Sequence, residues 1–177
     1  MRIIKRLLKI LVVLVIVLVA VSYLLPRQVT VARSITIDAP APDVFAKVNG
    51  LKAGAEWSPW LSRDPEVQLT YTGPDMGVGS KLVWTSDHPQ VGNGAQEIVE
   101  SVENQKVVTA LDFGAQGTAM AAFNLVEADG ATTITWDLET DMGMNPIGRY
   151  MGLMMDRWVG GDYEKGLANL KALVEAG

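Results

Sequence analysis

Three carboxylates spaced two residues apart form the group most suited to chemistry in this sequence. Asp137, Glu139 and Asp141 lie along the end of a strand-like run. Alternation along a strand places all three on one face. If that face lines a dry cavity, one carboxyl group gains a raised pKa and works as an acid or base, with Arg149 as its partner. If Trp136 faces inward instead, the acids form the solvated side of a half-buried strand, which is the ordinary arrangement.

His88 is the only histidine and a second candidate for proton transfer. It lies in the loop Asp87–Gly94, which is full of turn-forming residues, so we expect an exposed loop position. One His, no Cys and no tight carboxylate cluster predict no metal site. Gly77-Val78-Gly79 precedes a strand rather than a helix, which predicts a tight turn and no phosphate-binding loop. We therefore expect no cofactor.

The N-terminal segment carries a strong signal for location. Ile10–Leu25 holds no charged residue, and the basic residues Arg2, Lys5, Arg6 and Lys9 precede it. A spanning helix needs about 20 apolar residues, and basic flanks stay cytoplasmic. The pattern predicts a single-pass transmembrane anchor over residues 1–26 in the cell membrane, with a cytoplasmic N-terminus. The alternative is a secretory signal cleaved near Ala20-Val21-Ser22.

Residues 27–177 are predicted to form one extracytoplasmic domain, periplasmic where the envelope has two membranes. Its length of about 150 residues is typical of a single core. Removal of the four leading basic residues leaves 11 Lys and Arg against 20 Asp and Glu, a net charge near −9. Such an acidic domain repels nucleic acid and anionic headgroups, so we expect neither as its partner. The absence of Cys excludes disulfides.

The order of the predicted elements indicates an α+β fold. A strand over Val29–Ile37 precedes a short helix over Asp43–Asn49 and a helical turn over Glu56–Leu61. Six strand-like runs follow, at Val67–Thr72, Ser80–Ser86, Gly94–Asn104, Lys106–Phe113, Thr118–Ala128 and Thr132–Thr140. Their short connections predict an antiparallel meander. A long terminal helix ends the chain, and its Gly160-Gly161 pair predicts a kink or a close approach to the sheet.

Four features of this chain resemble the START-like, pollen-allergen-like superfamily called SRPBCC, of the polyketide cyclase/dehydrase type. They are the Ile37-Asp38-Ala39-Pro40 strand end with Val44-Phe45, the Trp57-Ser58-Pro59-Trp60 element, Gly77-Val78-Gly79-Ser80 before Trp84, and the helix segment Tyr163–Lys171. The resemblance covers roughly residues 29–174. It implies a helix-grip fold, in which a curved antiparallel sheet wraps around a long C-terminal helix and encloses a cavity.

Methionine and tryptophan residues indicate what such a cavity would bind. Five Met lie between residues 142 and 155, and flexible Met side chains suit walls that accept varied apolar ligands. We expect an apolar hollow between the terminal helix and the sheet, with small Ala residues leaving room. The predicted ligand-binding residues are Trp57, Trp60, Trp84, Ala121, Phe123, Trp136, Met151, Met154 and Trp158.

Three functions follow in order of preference. The first is a membrane-tethered, exported protein that binds a small hydrophobic, lipid-like molecule without catalysis. The second is a cyclase- or hydrolase-type enzyme that uses Asp137, Glu139 or His88 for proton transfer. The third is an envelope interaction module that binds a protein partner through its acidic surface. The superfamily indicates fold far more strongly than activity.

Overall fold

A computed structural model describes residues 2–177 as one seven-stranded sheet with three α-helices. The helices are α1 (Arg2–Ser22), α2 (Ala41–Val48) and α3 (Pro146–Glu175). The strands are β1 (Gln28–Ile37), β2 (Gln68–Thr72), β3 (Lys81–Thr85), β4 (Gly94–Val102), β5 (Lys106–Asp112), β6 (Thr118–Ala128) and β7 (Ala131–Asp141). Short 3₁₀ turns cover Ala53–Glu56 and Gly114–Gln116. The predicted strand order is confirmed, and the helix-grip architecture with it.

The sheet is antiparallel throughout and has the order β1-β7-β6-β5-β4-β3-β2. Alternation divides its side chains between an inner face, which packs against α2 and α3, and an outer face. Inner-face residues such as Ile98, Ala121 and Trp136 belong to the hydrophobic core. Strands β2 to β7 pair in chain order because their connections are too short for crossovers, whereas β1 pairs with β7. The hairpin between β6 and β7 turns at Asp129-Gly130, where both residues have positive φ, 53° and 80°.

Helix α3 lies unusually close to the edge strand β1. A Cβ atom at Gly160 would come within 2.1 Å of the Arg33 Nη2 atom, and one at Gly152 within 2.8 Å of Val29. The close approach predicted at Gly160-Gly161 is therefore confirmed at Gly160, and α3 continues through both glycines without a break. The buried residues of α3 are Arg149, Gly152, Gly160, Tyr163, Gly166, Leu167 and Leu170. Small residues thus set the distance between helix and sheet.

Two predicted helical segments differ from the structure. A helical turn was expected over Glu56–Leu61, but the structure has a 3₁₀ turn over Ala53–Glu56 instead. The turn does not continue to Leu61, because Pro59 cannot donate a helical hydrogen bond. Within residues 2–177, no helix is both long and apolar enough to cross a membrane. Helix α1 ends at Ser22, so its uncharged part from Ile10 is ~20 Å long, against ~30 Å for a bilayer core. The predicted transmembrane anchor is not supported, and its Met1 lies outside the described residues.

Candidate ligand-binding site

Five aromatic rings meet on the inner face of the sheet. Trp136 from β7 stacks on Tyr163 from α3, with ring centroids 3.8 Å apart and an interplanar angle of 9°. Trp57 and Trp60 approach Trp136 edge-on at 5.4 and 5.5 Å, and Phe123 from β6 lies 5.0 Å away. We call these five residues the aromatic cluster. It joins the sheet, α3 and the segment after α2, so it occupies the part of the fold where a ligand was expected.

Local contacts hold the cluster in place. The Trp57 Nε1 atom donates to the Lys47 carbonyl oxygen at 3.1 Å, and the Asn169 side chain donates to the Trp57 carbonyl oxygen at 3.1 Å. Gly166 lets α3 reach the rings, because a Cβ atom there would lie 2.8 Å from Trp136. The Trp-Ser-Pro-Trp element and the helix segment that begins at Tyr163 are therefore packing partners, which the sequence alone did not pair.

One polar atom of the cluster is fully buried without a partner in the part of the chain that the structure describes. The Trp136 Nε1 atom is fully buried and lacks a hydrogen bond to the described residues. Such a buried donor costs about 1 to 3 kcal/mol until an acceptor reaches it. Burial raises the pKa of Tyr163 far above its usual range, so this phenol stays neutral. The cluster is therefore an apolar site with one fully buried, unused hydrogen-bond donor, and a small acceptor would satisfy it.

The carboxylates proposed for chemistry lie on the opposite side of the sheet. Asp137 and Glu139 belong to the outer face, since the inward residues of β7 are Ile134, Trp136 and Leu138. Burial raises the pKa of Asp137, while a hydrogen bond from Asn124 at 2.7 Å opposes this shift. The prediction that these acids face a cavity is therefore wrong. They form the outer side of a half-buried strand, which was the alternative. Strand alternation puts Trp136 and the two acids on opposite faces. The Trp136 face is the buried one, because an indole ring gains free energy from burial and a carboxylate loses it.

Arg149 is not the partner of these acids. Its side chain is 7% exposed and donates to the carbonyl oxygens of Gly143, Tyr23 and Leu25 at 3.0, 3.1 and 3.3 Å. Its guanidinium carbon also lies 5.3 Å from the centre of the Tyr23 ring. Arg149 thus satisfies carbonyl groups that follow the end of α1, where helical partners are missing. The proposed acid–arginine pair does not form.

His88 lies in the loop between β3 and β4, as expected, but it is half-buried rather than exposed. Its Nδ1 atom accepts a hydrogen bond from the Gln90 backbone N–H at 3.2 Å. The neighbouring Ser86 hydroxyl donates to Asp64 at 2.5 Å and lowers the pKa of that carboxyl group. These contacts order the loop. The Ser86 hydroxyl also accepts a hydrogen bond from the His88 backbone N–H at 2.9 Å, so it is bonded to the backbone of His88 and not to its imidazole ring.

The apolar stripe of α3 faces away from the sheet. Met151, Met154 and Trp158 share one helix face, as predicted, but they are 50, 43 and 48% exposed. The predicted hollow between this stripe and the sheet is therefore wrong. The helix buries its glycine-containing face against β1, because larger side chains at Gly152 and Gly160 would collide with Val29 and Arg33 of that strand. Ala121 does point inward and is buried, and Trp84 packs edge-on against Phe113 at 6.0 Å.

A depression of about 720 Å³ lies on the outer face of the sheet. Small residues form its floor, among them Ala95 and Ala110, and charged residues such as Lys81 and Glu139 surround them. Asp141 at its margin binds Arg27 at 2.7 Å, and this hydrogen bond lowers the pKa of Asp141. The depression is separated from the aromatic cluster by the sheet itself.

Comparison with known proteins supports the fold. A protein of Thermobifida fusca solved by NMR is 21% identical with a TM-score of 0.62, covering 82% of this chain and 92% of that one. Ara h 8.0201 is 16% identical with a TM-score of 0.58, covering 85% and 99%. The di-domain ARO/CYC StfQ of the steffimycin biosynthetic pathway is 11% identical with a TM-score of 0.63, covering 84% and 51%. These identities establish the shared fold alone.

No protein of curated function matches the chain. A family described as polyketide cyclase / dehydrase and lipid transport matches residues 28–175, which is β1 through the end of α3. The match includes the whole sheet and every member of the aromatic cluster. The chain therefore belongs to the polyketide cyclase / dehydrase and lipid transport family.

Proposed function

We propose that this domain binds a small, largely apolar molecule at the aromatic cluster. The observation that carries the proposal is the buried, unpartnered N–H of Trp136 among four other aromatic rings. Aromatic walls favour flat or lipid-like apolar groups, and one donor fixes their orientation. The ligand class that fits is an apolar body with a single carbonyl, ether or hydroxyl oxygen. Membership of a family that includes lipid-transport proteins supports this class.

Trp60 provides the route to the donor. It is only partly buried, whereas Trp57 and Trp136 are 5% and 6% exposed. It follows the 3₁₀ turn in an irregular segment, and irregular segments move more easily than the strands beneath them. Rotation of the Trp60 ring would uncover both Trp136 and Tyr163, which it contacts edge-on. We therefore assign ligand entry to this side of the cluster.

The test uses two matched probes. Prodan carries a propionyl group, with one ketone, on a naphthalene ring, and 6-propyl-2-(dimethylamino)naphthalene has the same carbon skeleton without the ketone oxygen. Binding to the full chain in phosphatidylcholine nanodiscs is measured by fluorescence against empty discs. We expect prodan to bind roughly 2- to 10-fold more tightly, which corresponds to one neutral hydrogen bond. Trp136→Phe should abolish this preference, and the control Trp84→Phe should retain it. Equal affinity of the two probes for the unmodified protein contradicts the proposal.

The proposal includes an extracytoplasmic location at the cell membrane. Its support is the asymmetry of charge around residues 10–25, with four basic residues before them and Arg27 directly after. A reporter that is active only outside the cytoplasm, fused after Gly177, should be active. A fusion active only in the cytoplasm contradicts this location and leaves the ligand proposal intact.

The interaction-module alternative has one observation in its favour, the depression on the outer face. Its mixed charges and small floor residues suit a polar protein surface better than a lipid. Glu139→Lys changes the charge of this depression without touching the aromatic cluster. Loss of a cross-linked partner in cells with this variant, together with unchanged prodan binding, would support a protein partner at the outer face.

A further inference from the structure

We propose that the outward stripe of α3, formed by Ile147, Met151, Met154 and Trp158, contacts the apolar layer of a phospholipid membrane beside α1. These four side chains are 71, 50, 43 and 48% exposed. Their spacing of four, three and four residues places them on one helix face. That face is opposite the buried face that packs on β1. This exposed face is separate from the buried aromatic cluster, so its contact with lipid does not depend on ligand binding.

The stripe has a sharp boundary. Lys165 continues the same helix face beyond Trp158, and it is exposed. The large exposed apolar side chains of this face therefore end at Trp158, and Lys165 and the small Ala172 follow on the second half of α3. Tryptophan is the residue preferred at the border between apolar lipid and water, because its ring is apolar and its N–H is polar. Trp158 stands at this border.

Helix α1 is joined to the same half of α3. The Tyr150 hydroxyl donates to the Leu18 carbonyl oxygen at 2.8 Å, and Arg149 donates to carbonyl oxygens that follow the helix. The apolar side chains of α1 from Ile3 to Val21 are exposed around the whole helix. Both apolar surfaces therefore belong to one continuous region, and these hydrogen bonds fix their relative position.

A lipid layer fits this region better than a protein groove. The part of α1 after Lys9 is apolar on all its exposed sides, so it offers no single face to a protein partner but suits contact with lipid. Lys5, Arg6 and Lys9 at its beginning are exposed and suit phosphate headgroups. The stripe itself contributes no charge, so the acidic domain reaches the membrane through apolar contact.

Spin labelling of the full chain in phosphatidylcholine vesicles tests the inference, since the chain has no Cys to interfere. Labels are attached to Met151→Cys and Met154→Cys, and to the control Ala172→Cys. Ala172 is exposed and lies five helical turns beyond Met154, so it points the same way. Collision with oxygen, which concentrates in lipid, is compared with collision with a water-soluble nickel complex by power saturation.

We expect the oxygen-to-nickel ratio to be several-fold higher at positions 151 and 154 than at position 172. Equal ratios at the three positions would place the stripe in water and overturn the inference. Low collision with both reagents at 151 and 154 would place a protein, such as a second copy, on the stripe and would also overturn it. Unchanged thermal unfolding of each variant shows that the fold is intact. Prodan binding is measured on the same samples, so a failed ligand proposal is recognised separately.

Discussion

The close approach of α3 to β1 gives a prediction with a built-in control. Gly160 and Gly161 are adjacent in one helix, but a Cβ atom at Gly160 would lie 2.1 Å from the Arg33 Nη2 atom, whereas one at Gly161 meets nothing within 4 Å. Arg33 binds Asp156 at 2.9 Å and Glu164 at 2.7 Å, so the guanidinium is held where the new methyl group must go.

Replacement of either glycine by Ala gains about 1 kcal/mol in helix propensity. This gain is common to both variants and cancels in their comparison. Gly160→Ala must in addition displace Arg33, and overpacking of this kind costs ~1–3 kcal/mol. We therefore expect Gly160→Ala to unfold at a temperature about 2 to 12 °C below that of Gly161→Ala, at ~2–4 °C per kcal/mol.

Thermal unfolding followed by circular dichroism measures the difference on the full chain. Gly161→Ala should be slightly more stable than the unmodified protein. If Gly160→Ala is stabilised to the same extent, Arg33 yields without cost. The contact at Gly160 would then not contribute to fixing α3 against β1, which would leave that role to the contact of Gly152 with Val29.

Three further substitutions test separate features of the structure. Trp60→Ala should lower the free energy of unfolding by less than the ~3–5 kcal/mol typical of a fully buried Trp, while increasing the rate of prodan binding in stopped-flow fluorescence. Burial raises the folded-state pKa of Asp137, so its charged form destabilises the fold above that pKa; Asp137→Asn should raise the unfolding free energy in urea at pH 7 and not at pH 3. Arg149→Met leaves carbonyl groups after α1 unpaired, so trypsin should cleave after Arg27 faster than in the unmodified protein.

Local rules predicted the sheet well. Alternation predicted that Asp137 and Glu139 lie on the face of β7 opposite to that of Trp136, and Asp129-Gly130 predicted the position of the last hairpin. Both features depend only on neighbouring residues. The order of strands followed from short connections. Ala121 was expected to face inward, and it is buried on the inner face.

The orientation of α3 could not be read from its own residues. The helix has two faces with small or apolar residues, and hydrophobicity alone favours the one with Met151, Met154 and Trp158. The choice depends on Arg33 and Val29 in a strand more than 100 positions earlier, where only a glycine-containing face fits. The contact of Trp136 with Tyr163 joins a strand to the middle of the following helix, and neither element alone predicts it or the unpartnered indole N–H.

The indole N–H signal of Trp136 provides the sharpest test of ligand binding at the aromatic cluster. Five Trp give five such signals in a ¹⁵N–¹H spectrum, and Trp136→Phe identifies the one that belongs to Trp136. On addition of prodan we expect this signal to move downfield, as an N–H does when it gains an acceptor, while 6-propyl-2-(dimethylamino)naphthalene leaves it without such a shift. A Trp136 signal that stays in place while prodan binds the domain would contradict the proposed site.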